Sequence, residues 1–149
     1  MSQEFINSQK EIKIGNLMVA QKKVLKELVT CGFELKDIIS INKNRYSILI
    51  GSKKNILLTF KRDPFKTFGD KFNDLGQEGE VGDTINCSDI DTAIKMQVID
   101  IISVFDNGIA YTMPLHEFIE KSFKWNNCEG KEVRSISIRE YKILFDLND

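Results

Sequence analysis

The sequence predicts a single mixed α/β domain built on a central sheet. Three observations predict it. A length of 149 residues suits one domain and leaves no room for two well-packed cores. A hydrophobic fraction of 42% with 29% charged residues is that of an ordinary globular chain, which argues against disorder. Helical and strand-like periodicities then follow one another in the order α-β-β-loop-α-β-β-α-β, the pattern of helices packed on a sheet.

Residues 16–30, NLMVAQKKVLKELVT, read as an amphipathic helix. Leu17, Val24, Leu25 and Leu28 recur at helical spacing, and Lys22, Lys23 and Lys26 lie away from them. Asn16 is placed to cap its start and Gly32 to stop it. RYSILI (45–50) and NILLTFK (55–61) read as strands joined by a GSKK turn, an antiparallel ribbon.

Residues 62–88 read as a long irregular loop, with Asp63, Asp70, Asp74, Glu78, Glu80 and Asp83 scattered among glycines. Their spacing is not that of a calcium-binding EF-hand. Asp89–Gln97 reads as a short helix capped by Ser88. VIDIISVF (98–105) is an apolar strand, DNG (106–108) a hairpin turn, and IAYTMPL (109–115) the partner strand. HEFIEKSF (116–123) is a short helix. Residues 132–144 contain an alternating strand, Val133, Ile136 and Ile138 against Arg134, Ser137 and Arg139, with one phase slip.

No apolar run reaches the roughly 18 residues of a membrane span, and the start lacks the basic-then-apolar layout of a secretory signal. Cys31, Cys87 and Cys128 are odd in number and form no CxxC pair, so they read as reduced thiols of a cytoplasmic protein. The only histidine, His116, has no partner set for a triad or a nitrogen-ligated metal, and reads as a capping or surface residue. Trp125, with Phe118, Phe123 and Tyr141, reads as core or interface. No Walker phosphate loop is present.

The net charge of −1 hides an asymmetry. Up to Lys71 there are 14 basic and 7 acidic residues, and beyond it 7 and 15, so the first half is suited to face a polyanion or to pair with the second half.

Within that basic half, Thr59 and Lys61 share one face of a strand because side chains repeat every two residues. Ser47 on the preceding strand is expected beside them, and Gln21 lies on the apolar face of the first helix, where an amide needs a partner. The frame resembles the PD-(D/E)XK nuclease superfamily, which includes restriction endonucleases and archaeal Holliday junction resolvases. That family has a helix with a Glu, a strand with an Asp, and a strand ending in acid-x-Lys. Here those positions hold Gln21, eleven residues before Gly32, then Ser47, Thr59 and Lys61. The segment VIDIISVFDNGIAYTMPLHEF is also similar in style to the continuation of these folds.

The resemblance implies a restriction-endonuclease-like mixed sheet flanked by helices, and a homodimer. It also exposes a departure. Family carboxylates hold Mg²⁺, which activates water and offsets charge on the scissile phosphate. Gln, Ser and Thr are neutral and cannot offset a divalent cation. The expectation is therefore a domain that binds DNA or RNA with little or no cleavage and needs no cofactor. Lys22, Lys23, Lys26, Lys53, Lys54, Lys61, Arg62 and Lys66 are the candidate phosphate contacts. One alternative is an active Mg²⁺-dependent endonuclease whose acids have moved to Asp63, Glu34 or Asp37. Another is a protein-interaction or assembly domain that uses the same fold without nucleic acid.

Overall fold

Asn55–Lys61 and Val98–Phe105 lie side by side in parallel, Leu58 opposite Ile102 and Lys61 opposite Phe105, at the centre of the largest sheet. Both are near-continuous apolar runs, as strands buried on two faces must be. The computed structural model describes residues 12–14, 17–19, 21–41, 46–61, 82–105 and 108–148, with side chains from Lys23 onward.

In chain order the elements are β1 (Ile12–Ile14), β2 (Leu17–Val19), α1 (Gln21–Thr30), β3 (Leu35–Ile41), β4 (Tyr46–Gly51), β5 (Asn55–Lys61), β6 (Gly82–Asn86), α2 (Cys87–Lys95), β7 (Val98–Phe105), β8 (Ile109–Pro114), α3 (Leu115–Lys121), β9 (Phe123–Asn126), β10 (Glu132–Ser137), a 3₁₀ turn (Ile138–Glu140) and β11 (Lys142–Asp146). The central sheet has the order β11-β8-β7-β5-β4-β3. Only β5 and β7 pair in parallel; the other neighbours are antiparallel. A smaller antiparallel sheet has the order β6-β10-β9, and β1 pairs with β2. The protein is thus the mixed α/β fold expected, a mixed central sheet with helices on it.

The sheet's two faces bury separate cores. Val24, Leu25 and Leu28 of α1 pack with Leu49, Leu58, Phe60 and Ile102 on one face. Ile48, Leu57 and Ile101 on the other face meet Ile90 and Ala93 of α2, Leu115 and Phe118 of α3, and Ile85 and Ile136 of the small sheet. The ribbon β4–β5 is antiparallel and its strands lie where the sequence places them.

The first helix stops as expected. Gly32 takes φ 97°, its N–H donates to Val29 O at 2.9 Å, and Phe33 N–H donates to Leu28 O at 3.0 Å. These are the paired bonds of a Schellman stop, which a left-handed glycine makes strain-free.

Its start differs. Leu17–Val19 is an unbroken apolar triplet that finds backbone partners in Ile12–Ile14, so the helix begins at Gln21. Asn16 lies outside the described residues. The second helix starts at Cys87, with Asn86 at the cap position making no side-chain cap bond. Within the expected 62–88 loop, residues 82–86 are a strand and 62–81 lie outside the described residues. The expected strand at 132–144 is two strands in different sheets. The phase slip lies inside β10, between Val133 and Ile136, where the burial alternation also breaks; the strand ends beyond it, where Ser137 Oγ accepts from Arg139 N–H at 3.3 Å and the chain turns into the 3₁₀ segment.

Candidate functional site

Pairing register decides which motif positions meet. Thr59 faces Tyr46 on β4 and Ser103 on β7. Ser47 faces Leu58, so it belongs to the α1 side of the sheet, with Leu49. This corrects the expectation that Ser47 sits beside Thr59 and Lys61: a one-residue offset puts a side chain on the opposite face. Ser47 is fully buried, and its hydroxyl has no hydrogen-bond partner among the described residues. Gln21 opens α1, but its side chain lies outside the described residues, as does that of Lys22.

Thr59 and Lys61 do come together, in a closed polar centre between the two sheets. Thr59 Oγ1 donates to Ser103 Oγ at 2.8 Å, and Ser103 Oγ donates to Asp83 Oδ2 at 2.6 Å. Tyr141 OH donates to the same oxygen at 2.7 Å. Lys61 Nζ lies 3.4 Å from Asp83 Oδ1, donates to Tyr46 OH at 2.9 Å and to Thr84 O at 2.6 Å, and stands 4.7 Å from the centre of the Tyr46 ring. The Asp83 side chain is fully buried and that of Lys61 is 16% exposed.

Asp83 reaches this centre because β6 alternates. Asp83 and Ile85 are buried, and Asp83 pairs with Ile136, another residue on the inner face of the small sheet. Thr84 points the other way, where its hydroxyl shares a hydrogen bond of 2.6 Å with Ser135. Trp125, half-buried, donates from Nε1 to that same Ser135 at 2.8 Å, so the tryptophan braces the small sheet.

The surroundings shift two groups of the centre. Burial opposes the Lys61 charge, but Tyr46 and the Asp83 carboxylate beside it outweigh that, and its pKa lies above the ordinary lysine value. Burial, reinforced by the Asp83 charge, pushes the Tyr141 phenol well above its ordinary value. The centre is therefore a carboxylate facing an ammonium, with two neutral hydroxyls completing the carboxylate's shell.

The donor set does not fit magnesium. Hard divalent cations need several oxygen ligands, normally with more than one carboxylate or with substrate phosphates. Here the one carboxylate is taken by Lys61, Ser103 and Tyr141, and Thr59 spends its proton on Ser103. Among the described residues no group of three or more His, Cys, Asp or Glu side chains could hold a metal ion.

The displaced-acid candidates lie elsewhere. Glu34 accepts from Ser52, next to Gly51 at the end of β4 opposite to Tyr46. Asp37 pairs with Ile50 on the edge strand β3, and its carboxylate accepts from Ile38 N–H at 2.8 Å. Asp63 lies outside the described residues, together with Arg62 and Lys66.

Of the candidate phosphate contacts, Lys23 and Lys26 are exposed on α1, and Lys53 and Lys54 on the β4–β5 turn. Lys54 is paired with Asp100 at 2.6 Å. Both turn lysines and Glu34 border a cleft of about 350 Å³ on the α1 side, floored by Leu28, Ile56 and Ile102. His116 is an exposed residue of α3, consistent with a surface role, and the three cysteines are free thiols.

The residues missed from sequence are Asp83, Ser103, Tyr46 and Tyr141. Asp83 carried a faint signal, a strand-like alternation with Ile85 inside a stretch dominated by acids and glycines.

Among the described residues no helix is long and apolar enough to cross a membrane. No family model matches this chain, and no curated protein matches it. Among solved structures, Hjc of Archaeoglobus fulgidus, a Holliday junction resolvase from an archaeal hyperthermophile, matches with a TM-score of 0.45 and 9% identity, covering 83% of this chain and 88% of that one.

Proposed function

We propose that this chain is a nuclease-like domain that binds nucleic acid without cutting it. The observation that carries the second half of this reading is the engagement of Lys61. In the motif the lysine must face the reacting phosphate, yet here its ammonium is committed to Asp83, Tyr46 and Thr84 O beneath a second sheet. The metal-ligand positions that the motif would fill with acids are Thr59, hydrogen-bonded within the core, and Ser47, turned to the opposite face.

Support for binding is the basic first half of the sequence together with the exposure of Lys23, Lys26, Lys53 and Lys54. Surface lysines contact phosphates without sequence preference and release counterions when they do. Binding to labelled duplex, single-stranded and branched DNA, and to RNA, at two salt concentrations tests this reading. With about six phosphate contacts, affinity should fall by about a thousandfold between about 50 and 200 mM salt. No binding at low salt would reject it and favour the assembly-domain alternative, which pull-down and salt-insensitive self-association would then identify.

A further inference from the structure

We propose that Lys61, Ser103 and Tyr141 form an oxyanion hole of the central sheet, and that Asp83 is its built-in occupant, delivered by β6. Among the described residues, the groups that bind the carboxylate come from outside β6. Lys61 ends β5, Ser103 lies within β7, and Tyr141 leads into β11. Two hydroxyls converge on one oxygen, at 2.6 and 2.7 Å, and the ammonium faces the other at 3.4 Å. That is the donor set expected around a small bound carboxylate or phosphate: a cation for charge and O–H groups for direction.

The orientation of the hydroxyls is fixed from behind. Thr59 donates to Ser103, which turns the Ser103 proton toward Asp83. Tyr46, held by Lys61, positions the ammonium in turn. Asp83 Oδ1 makes no hydrogen bond among the described residues and meets only the ammonium, so β6 fills the hole without saturating it. Removing the carboxylate leaves one uncompensated positive charge and two directed donors, and an external monoanion restores both charge balance and hydrogen bonding. The strand thus fills the hole with its own anion, which pairs with the lysine inside the closed centre.

This inference does not require nucleic-acid binding and stands if the binding experiment above fails. The test is chemical rescue of Asp83→Ala by formate, with chloride at matched ionic strength as background. Formate should raise the thermal midpoint of Asp83→Ala saturably, by about 3–10 °C. It should leave the wild type, whose hole is filled, and the double variant Asp83→Ala/Lys61→Met unchanged beyond the chloride background. A parallel titration with inorganic phosphate separates the ligand classes. A response to phosphate as well as formate marks a hole for oxyanions in general, and a response to formate alone a hole for planar carboxylates; both uphold the proposal. If Asp83→Ala does not fold in chloride, refolding yield replaces the midpoint, and formate should restore it. Absence of a formate-specific response in Asp83→Ala by either readout, or an equal response in the wild type or the double variant, would overturn the proposal.

Discussion

Tyr141 OH donates to Asp83 Oδ2 across a separation of 58 residues, and so ties the entry to β11, at one edge of the central sheet, to the first strand of the small sheet. Phenylalanine at 141 keeps the ring and removes this one donor from a buried carboxylate. Tyr141→Phe should cost about 1.5–3 kcal/mol, read from urea denaturation with an unchanged slope. A cost below about 0.5 kcal/mol would place the substitution among ordinary surface changes and dissociate Tyr141 from the centre.

The same residue, with Lys61, should make the fold sensitive to alkali. The Tyr141 and Lys61 pKa values are both raised in the folded state. Above about pH 10 the unfolded chain releases these protons and the folded chain keeps them. The folded state then binds more protons than the unfolded one, so stability falls as pH rises. Their contribution is complete below the unfolded values and is lost as pH climbs through the folded ones. Tyr141→Phe should flatten the decline in stability between about pH 9.5 and 11; an identical pH profile would contradict the assignment.

Breaking the charge pair should be costly in one direction. Lys61→Met strands the fully buried Asp83 carboxylate, at about 3–5 kcal/mol. Lys61→Met with Asp83→Asn should cost less than the sum of the two single substitutions, with a coupling of about 1–3 kcal/mol in a double-mutant cycle. Additive costs would show that the pair is not coupled.

How much of this was readable in advance follows from which physics each element obeys. β4, β5, β7 and β8 are apolar runs bounded by turn residues, so local pattern locates them within a residue. Gly32 announced its stop because a left-handed glycine satisfies helix-end carbonyls by local bonds alone. β3, β6 and β9 were not legible: LKDIISI is an edge strand with mostly exposed side chains, and GDTIN and FKWN are short and mixed, so that pairing rather than local pattern makes them strands. The site shows the same division. Thr59 and Lys61 share a face by local periodicity, which the sequence displays. The placement of Ser47 depends on cross-strand register, and the arrival of Asp83 beside Lys61 depends on tertiary folding, which a local pattern does not encode.

Gly51 offers a packing test away from the polar centre. A Cβ there would lie 2.5 Å from Lys54 O and 2.7 Å from a Phe33 ring carbon. The backbone oxygen cannot step aside cheaply, so Gly51→Ala should destabilise by about 1–3 kcal/mol, measured by thermal or urea unfolding. A neutral result would mean that the turn relaxes freely.

Alanine at Lys23, Lys26 or Lys53 should weaken nucleic-acid binding alike for all sequences. Each phosphate contact removed should reduce the slope of log affinity against log salt by about one. Glu129 and Lys131 pair with each other on the far side of the chain order, so Lys131→Ala serves as a control with no change in slope.

Incubation of the pure protein with duplex and branched DNA in Mg²⁺ or Mn²⁺, at a salt concentration where it binds, tests the central claim most directly. The expected result is bound, intact DNA over hours, with binding unaffected by EDTA. Metal-dependent cutting that is abolished by EDTA and by Lys61→Ala would contradict it, since that outcome requires a solvent-facing lysine and acids that this closed centre does not supply.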